Sequence, residues 1–202
     1  YVTGNTAIDA LNLTVDEEYS DEITEWIGDD RLIVLTAHRR ENWGEPMRDI
    51  FAAVRELVTK NENVNVIFPM HKNPLIRELA NESFKGVEDK IHLIEPLEYV
   101  DFANLMAKCY LIMTDSGGIQ EEAPALGKPV IVLRTETERP EAVEAGTVKL
   151  AGINKEDIFN IADELINNEE AYNKMAHAVN PYGDGKACSR IVEYIVEYFK
   201  DK

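Results

Sequence analysis

The sequence has little cysteine and no long hydrophobic run, and each shortage excludes a class of protein. The only two cysteines, Cys109 and Cys188, occur in helix-like contexts without metal-binding spacing, so we expect reduced thiols in a cytoplasmic protein. No apolar run approaches the length of a membrane helix, and no signal peptide is recognisable. The chain is therefore predicted to have no membrane as a partner.

Basic residues are also scarce, with 21 Lys and Arg against 38 Asp and Glu and a net charge of −17. Such a charge repels the phosphates of nucleic acids and of anionic membranes, so we expect no nucleic-acid partner. A phosphate-bearing ligand would have to be held by local positive groups and by helix ends. The four histidines are spread along the chain without the spacing of metal ligands, so no metal site is predicted.

What the sequence does contain is an alternation of short apolar strands with helical patterns, sufficient for one domain. This alternation predicts an α/β fold with a Rossmann-like, doubly wound parallel sheet. Ligands of such sheets bind beyond the carboxyl ends of the strands, so the polar loops there should converge. The predicted strands are 32–36, 64–68, 91–94, 110–113, 130–133 and 148–150. Before the first of them, Ser20 is predicted to cap a helix at 21–27.

The stretch from Thr114 to Glu122 joins a strand to a helix and is typical of a phosphate-binding turn. Ser116, Gly117 and Gly118 lie where the strand ends, so backbone N–H groups and the positive end of the helix dipole can receive a phosphate. Glu122 lies about one helical turn later, where a carboxylate can accept hydrogen bonds from both hydroxyls of a ribose. The alternative is that the two glycines make only a tight turn, and the stretch by itself leaves both interpretations open.

The loop after the first strand carries His38, Arg39 and Arg40. A guanidinium can bond two phosphate oxygens at once, and an imidazole can bond a diphosphate or assist a departing phosphate. The alternative is that Arg40 and Glu41 pair with each other or with the acidic surface and that His38 is a structural donor. Because the loop belongs to the carboxyl edge of the sheet, we favour the ligand-binding interpretation for His38.

Two further positions are compatible with either a site or a structural role. His71 lies between Pro69 and Pro74 in the loop before a helix, so it could simply stabilise the start of that helix. Phe102 is predicted to open a helix, where its ring could stack on a base, although most aromatic residues in such positions belong to the core.

These segments resemble the non-hydrolysing UDP-N-acetylglucosamine 2-epimerases, and more narrowly their C-terminal half. They occur in the family's order and cover nearly the whole chain: 2–6, 36–42, 71–74, 115–124, 126–129, 137–142 and 180–185. The resemblance implies a glycosyltransferase-B-like two-domain fold, with the active site in the cleft between two Rossmann-like halves. Residues 1–202 would be the C-terminal, nucleotide-sugar-binding domain, and the last helix, about 187–200, would pack across the domain boundary.

The resemblance also assigns roles to single residues. Ser116, Gly117 and Gly118 would bind the diphosphate and Glu122 the ribose. Phe102 would pack against the uracil, and Leu97 would lie in the uracil-contacting loop with only its main chain available for a polar contact. The remaining assignments are His38 as the active-site histidine, Arg139 as a substrate contact, and Arg39 and His71 as contacts of a second, regulatory UDP-N-acetylglucosamine.

The implied reaction interconverts UDP-N-acetylglucosamine and UDP-N-acetylmannosamine for polysaccharide biosynthesis. It removes UDP to give 2-acetamidoglucal and adds UDP back with inversion at C2, without a metal or other cofactor. The resemblance further implies a homodimer whose acid/base carboxylates come from an N-terminal half. The chain begins with Tyr1 and has no initiator Met, so we interpret it as part of a longer protein. We predict that this chain alone binds UDP weakly and does not catalyse the epimerisation.

Three other functions remain open at this point. The same architecture could serve as the donor-binding half of a glycosyltransferase, or as a nucleotide-sugar sensor without chemistry. A hydrolysing relative, which would release free N-acetylmannosamine, is the third.

Overall fold

The computed structural model describes residues 1–200, and the strands in this range form one six-stranded parallel sheet. The order across the sheet is β3-β2-β1-β4-β5-β6, so the winding direction reverses between β1 and β4. This order confirms the predicted doubly wound sheet, with β6 at an edge. The strands are β1 (Arg31–Thr36), β2 (Val64–Pro69), β3 (Ile91–Ile94), β4 (Leu111–Thr114), β5 (Val130–Val132) and β6 (Val148–Leu150).

Helices connect the strands and cover both faces of the sheet. Their bounds are α1 (Thr6–Thr14), α2 (Glu22–Ile27), α3 (Glu45–Lys60), α4 (Pro74–Ser83), α5 (Tyr99–Lys108), α6 (Ile119–Glu122), α7 (Pro140–Ala145), α8 (Lys155–Asn167), α9 (Glu169–Ala176) and α10 (Ala187–Lys200).

Successive residues of each strand enter two separate hydrophobic cores because strand side chains alternate between the faces of a sheet. In β1, Ile33 and Leu35 pack with α3, α4 and α8, whereas Leu32 and Val34 pack with α1 and α5. All four are essentially inaccessible to solvent. A sheet buried on both faces can bind a ligand only at an edge or at the ends of its strands. Neither face of this sheet is therefore available as a binding site, which leaves the polar loops at the strand ends.

The register of β1 and β4 brings their ends to the same level. Thr36 is paired with Thr114, and their side-chain oxygens are 2.6 Å apart. The loop after β1 and the turn after β4 therefore begin side by side, at the point where the strand order reverses. This is the position at which doubly wound sheets bind ligands.

Three local predictions were wrong in detail. The N-cap of α2 is Asp21 rather than Ser20, because the Asp21 carboxylate and the Thr24 hydroxyl bond each other's backbone N–H groups in a capping box. Phe102 does not open its helix, since α5 begins at Tyr99. The helix predicted after the phosphate turn is a single α-helical turn, α6, followed by a 3-10 turn at Ala123–Leu126.

The last helix, α10, is attached to the rest of the domain mainly by its first turn. The backbone N–H groups of Ala187 and Cys188 donate to the Asp9 carboxylate, and Arg190 makes two hydrogen bonds to Asp184. Ala187 is the one buried residue of this helix. No helix within residues 1–200 is both long and apolar enough to cross a membrane.

Candidate functional site

Polar residues from four loops meet at the carboxyl edge of the sheet. The rings of His38, after β1, and His71, after β2, have centroids 6.3 Å apart. Nε of Arg39 donates to the main-chain oxygen of Asp115, after β4, at 2.8 Å. The structure thus brings together loops that are far apart in the chain, as the parallel sheet predicted.

The turn after β4 leaves backbone N–H groups unused. The N–H of Ser116 donates to Thr114 Oγ1 at 2.9 Å, but those of Gly117 and Gly118 have no acceptor within residues 1–200. A pair of adjacent free amides at the start of a helix is a ready anion site.

Neither glycine is required by the backbone. Gly118 has φ −64°, and Gly117 also lies outside the left-handed region that favours glycine. A Cβ at Gly117 would approach no atom closer than Nη2 of Arg139 at 4.0 Å, and one at Gly118 would lie 3.8 Å from Oε1 of Glu122. The chain itself has room for side chains here, so it does not explain the two glycines. This favours the ligand interpretation over the tight-turn alternative.

Glu122 is half-buried beside the turn, and its Oε2 accepts a hydrogen bond from the Tyr99 hydroxyl at 3.3 Å. Burial raises the pKa of the Glu122 carboxyl, and the nearby charge of Glu121 adds to this, while the Tyr99 hydrogen bond opposes it. The Tyr99 contact also brings the start of α5 against the phosphate turn. Leu97 and Phe102 flank Tyr99 in sequence, and both are partly buried against the core on that face of the sheet.

Arg139 is held at the same turn by a carboxylate. Its Nε donates to Oε1 of Glu121, whose Oε2 accepts from the side chain of Asn5. The hydrogen bond that Arg139 donates to Glu121 is the main reason that the pKa of Arg139 is raised. With Nε occupied, Nη2 is the guanidinium atom nearest Gly117, so Arg139 can offer donors to the anion that the turn would hold.

His38 is paired with a carboxylate that sequence reasoning did not single out. Its Nδ1 lies 3.1 Å from Oδ1 of Asp115, which is fully buried. Asp115 follows β4 directly, within the same turn as the glycines, and this position after a central strand was the available signal. Tyr99 and Glu121 were also overlooked as contacts of Glu122 and Arg139.

Of the structural alternative for this loop, the pairing of Arg40 with Glu41 is wrong. Glu41 accepts a hydrogen bond from Nε of Arg134 at 2.8 Å, and Arg40 lies over the ring of Trp43 at 6.0 Å. The alternative for His71 is partly confirmed, because its Nδ1 accepts from the backbone N–H of Asn73 at the start of α4. Within residues 1–200, no three His, Cys, Asp or Glu side chains are arranged to hold a metal ion.

Comparison with known proteins identifies close relatives over the whole chain. The sequence profile of the family described as UDP-N-acetylglucosamine 2-epimerase matches residues 1–196. The UDP-N-acetylglucosamine 2-epimerase of Bacillus subtilis is 56% identical over 199 residues, which are 98% of this chain and 52% of that protein. The chain thus spans about half the length of the curated relatives it matches.

Solved structures agree with this similarity. A crystal structure from Listeria monocytogenes is 55% identical with a TM-score of 0.96, covering 100% of this chain and 54% of that one. The Staphylococcus aureus MnaA–UDP co-structure is 54% identical with a TM-score of 0.92, covering 98% of this chain and 54% of that one. A C-terminal domain of a glycosyl transferase from Francisella tularensis, 12% identical with a TM-score of 0.66, shares the fold alone. These likenesses confirm the predicted Rossmann-like fold of the glycosyltransferase-B kind.

Proposed function

The chain belongs to the UDP-N-acetylglucosamine 2-epimerase family, and from this premise we propose that it is the UDP-binding half of a non-hydrolysing 2-epimerase. The observation that carries the proposal is that four kinds of group converge at one edge of the sheet. They are free backbone amides, a carboxylate suited to accept from ribose hydroxyls, a histidine and an arginine. The enzyme class is an isomerase that interconverts UDP-N-acetylglucosamine and UDP-N-acetylmannosamine. No resident cofactor is part of the proposal.

Binding of UDP would use the turn and its neighbours. The N–H groups of Gly117 and Gly118, with Ser116 beside them, would hold the diphosphate, and Arg139 would add a charged donor. Glu122 would accept from the ribose hydroxyls. The hydrogen bond from Tyr99 to Glu122 connects the ribose position to the start of α5. It therefore supports a bound UDP whose diphosphate, ribose and base follow one another along the edge towards α5.

The base would lie against the loop before α5 and the first turns of that helix. Phe102 would pack on the uracil ring, and the main chain of Leu97 would offer the polar contact to its edge. Partial exposure of both residues supports this role, since a fully buried ring could not reach a ligand.

The chemistry would be elimination followed by addition. A base outside this chain would take the C2 proton, and the C2–H electron pair would form the C1=C2 double bond. The C1–O bond would break, and its electron pair would leave with the β-phosphate oxygen of UDP. The product pair is 2-acetamidoglucal and UDP, and UDP adds back after protonation of the opposite face at C2. His38 would donate a hydrogen bond to the leaving diphosphate, where negative charge develops.

Arg39 and His71 would form part of a second, regulatory site for UDP-N-acetylglucosamine. The 6.3 Å between the His38 and His71 rings supports a position next to the substrate. The guanidinium of Arg39 is anchored on the main chain of Asp115 and is 3.5 Å from Glu138, so it is already oriented at this edge.

Residues 1–202 would act as one domain, and α10 would pack across its boundary with an N-terminal half. Four side chains on α10, at a spacing of three to four residues, are about half exposed or more: Val192, Ile195, Val196 and Phe199. An apolar stripe of this kind is costly in water, and the curated relatives have about as much chain again to cover it. A homodimer and a cytoplasmic location complete the proposal, and the mass of the native protein and cell fractionation would test them.

The decisive experiment compares the complete polypeptide with residues 1–202 alone. Calorimetry with UDP and proton NMR of UDP-N-acetylglucosamine should show tight binding and formation of UDP-N-acetylmannosamine by the complete polypeptide. The isolated chain should bind UDP weakly and produce nothing. Absence of heat with the complete polypeptide would refute the UDP site. Free N-acetylmannosamine would indicate hydrolysis, and UDP release that needs an acceptor sugar would indicate a transferase.

A further inference from the structure

Asp115 is the one fully buried carboxylate within residues 1–200, and it lies at the centre of the candidate site. Its backbone N–H donates to the carbonyl of Thr36 at 3.2 Å, which extends the pairing of β1 and β4 by one residue. Burying a carboxylate is costly unless donors or a cation compensate for the lost water. The contacts of this side chain therefore indicate what it is for.

The two oxygens of Asp115 have different partners. Oδ2 accepts three hydrogen bonds, from the backbone N–H groups of His38 and Arg39 at 2.9 Å each and from Nδ2 of Asn42 at 3.1 Å. Oδ1 faces Nδ1 of His38 at 3.1 Å. The ring N–H and Oδ1 are not well aligned, so this contact is an ion pair more than a directed hydrogen bond.

The cation available to Asp115 is the imidazole itself. No Lys or Arg side chain within residues 1–200 forms an ion pair with its carboxylate, and the Arg39 guanidinium donates to the main-chain oxygen of Asp115 instead. The contact with Asp115 raises the pKa of His38, against the effects of burial and of Arg39. Burial raises the pKa of the Asp115 carboxyl, but the donors from His38 and Arg39 outweigh it and leave that pKa lowered.

We infer that Asp115 is a positioning residue for His38: it keeps Nδ1 protonated and stabilises the imidazolium, which leaves the Nε2–H group to donate to the ligand. This inference rests on the proposed function, in which His38 bonds the leaving diphosphate. A carboxylate behind an imidazole fixes both its tautomer and its orientation. The other groups that face His38 are Arg39 in its own loop and His71 after β2, and neither can accept the Nδ1 proton in place of Asp115.

A purely structural role for Asp115 makes a different prediction, and asparagine separates the two. If Asp115 only anchors the loop after β1, the three donors to Oδ2 are what matters. The oxygen of an asparagine can accept the same three hydrogen bonds, and those donors then direct its NH2 group towards Nδ1 of His38. The substitution Asp115→Asn therefore preserves the loop anchor while favouring the opposite tautomer.

The test uses the complete polypeptide with Asp115→Asn, and with Glu41→Gln as the control. Glu41 is in the same loop and pairs with Arg134, so its substitution removes a nearby negative charge without touching His38. In Asp115→Asn, kcat should fall about 100-fold, whereas KM and the Kd for UDP should change by less than about threefold. In a plot of kcat against pH, the fall in kcat at high pH should begin at a lower pH in this variant. The reason is that the protonated His38 ring no longer has the Asp115 carboxylate to stabilise it.

Two results would overturn the inference. One is a kcat for Asp115→Asn within about threefold of the wild type, with the fall at high pH unmoved. The other comes from nitrogen-15 NMR of the His38 ring in the wild-type protein, which needs neither activity nor a folded variant: a neutral ring protonated on Nε2 would exclude the positioning role. A wild-type protein with the Nδ1 tautomer but no epimerase activity would instead count against the proposed function alone.

Discussion

The imidazole rings of His38 and His71 lie within 18° of parallel, with centroids 6.3 Å apart, although 33 positions separate them in the chain. Each ring has its Nδ1 engaged on the protein side, His38 with Asp115 and His71 with the backbone of Asn73. The Nε2 atoms therefore remain for a ligand. A group bound against one ring would be within reach of the other, which couples the proposed active and regulatory positions.

Replacing Gly117 by Ala should weaken UDP binding without weakening the fold. The backbone there is not left-handed, and the nearest atom to a Cβ would be Nη2 of Arg139 at 4.0 Å, whereas the Cβ would stand where the diphosphate approaches. The loss should be roughly tenfold or more in Kd, measured by calorimetry, with a melting temperature unchanged or slightly higher.

Gly127→Ala is the matched control for that substitution. Gly127 has φ +67°, and a Cβ there would lie 3.3 Å from the carbonyl of Ala176. This variant should lose about 1 kcal/mol or more of stability yet retain its affinity for UDP. If Gly117→Ala lowered the melting temperature and left binding intact, the phosphate role of the turn would be wrong.

Replacing Glu122 by Gln should reduce affinity for UDP because a carboxylate accepts from both ribose hydroxyls and an amide oxygen does so less strongly. Hydrogen bonds to a charged group contribute about 1.5–3 kcal/mol, so the Kd should rise roughly 10- to 100-fold. The same substitution should cost less for 2′-deoxy-UDP, which keeps only one of the two hydroxyls. Equal losses for both nucleotides would argue against a ribose contact, and Glu82→Gln, on α4, is a control on an element remote from the turn.

Stability should depend on pH through His38, whose pKa is raised in the folded protein by Asp115. A group with a raised folded pKa stabilises fully below its unfolded value, here 6.5, and loses that contribution as the pH rises through the folded pKa. The difference in unfolding free energy between the wild type and His38→Gln should therefore be largest below about pH 6.5 and shrink at higher pH. Denaturant titrations across this range would measure it, and a difference that grew with pH would contradict the pairing.

Substitutions at the start of α2 should distinguish the observed cap from the predicted one. Asp21→Ala removes the capping box with Thr24 and should destabilise the protein by about 1 kcal/mol. Ser20→Ala should be neutral, since its hydroxyl caps no backbone group and contacts only Glu25, at 3.4 Å. Thermal melts of the two variants would decide, and a larger effect at Ser20 would restore the original prediction.

The sequence by itself determined the elements, their order in the chain and the family. Buried parallel strands are short continuous apolar runs, so 91–94 and 148–150 were predicted with the bounds that the structure has. The loops that follow such strands share an edge because all the strands run the same way, and this physical constraint was sufficient to bring together His38, Gly117 and Arg139.

Only the tertiary structure decided which side chains act in pairs. Asp115 beside His38, Tyr99 on Glu122 and Glu121 on Arg139 depend on strand register and on side-chain directions that no local pattern specifies. The same is true of the cap at Asp21, where one residue's shift in backbone conformation selects one of two suitable side chains. Local sequence fixes the period and the ends of elements to within a few residues, whereas contacts between distant segments follow from how the faces of those elements pack.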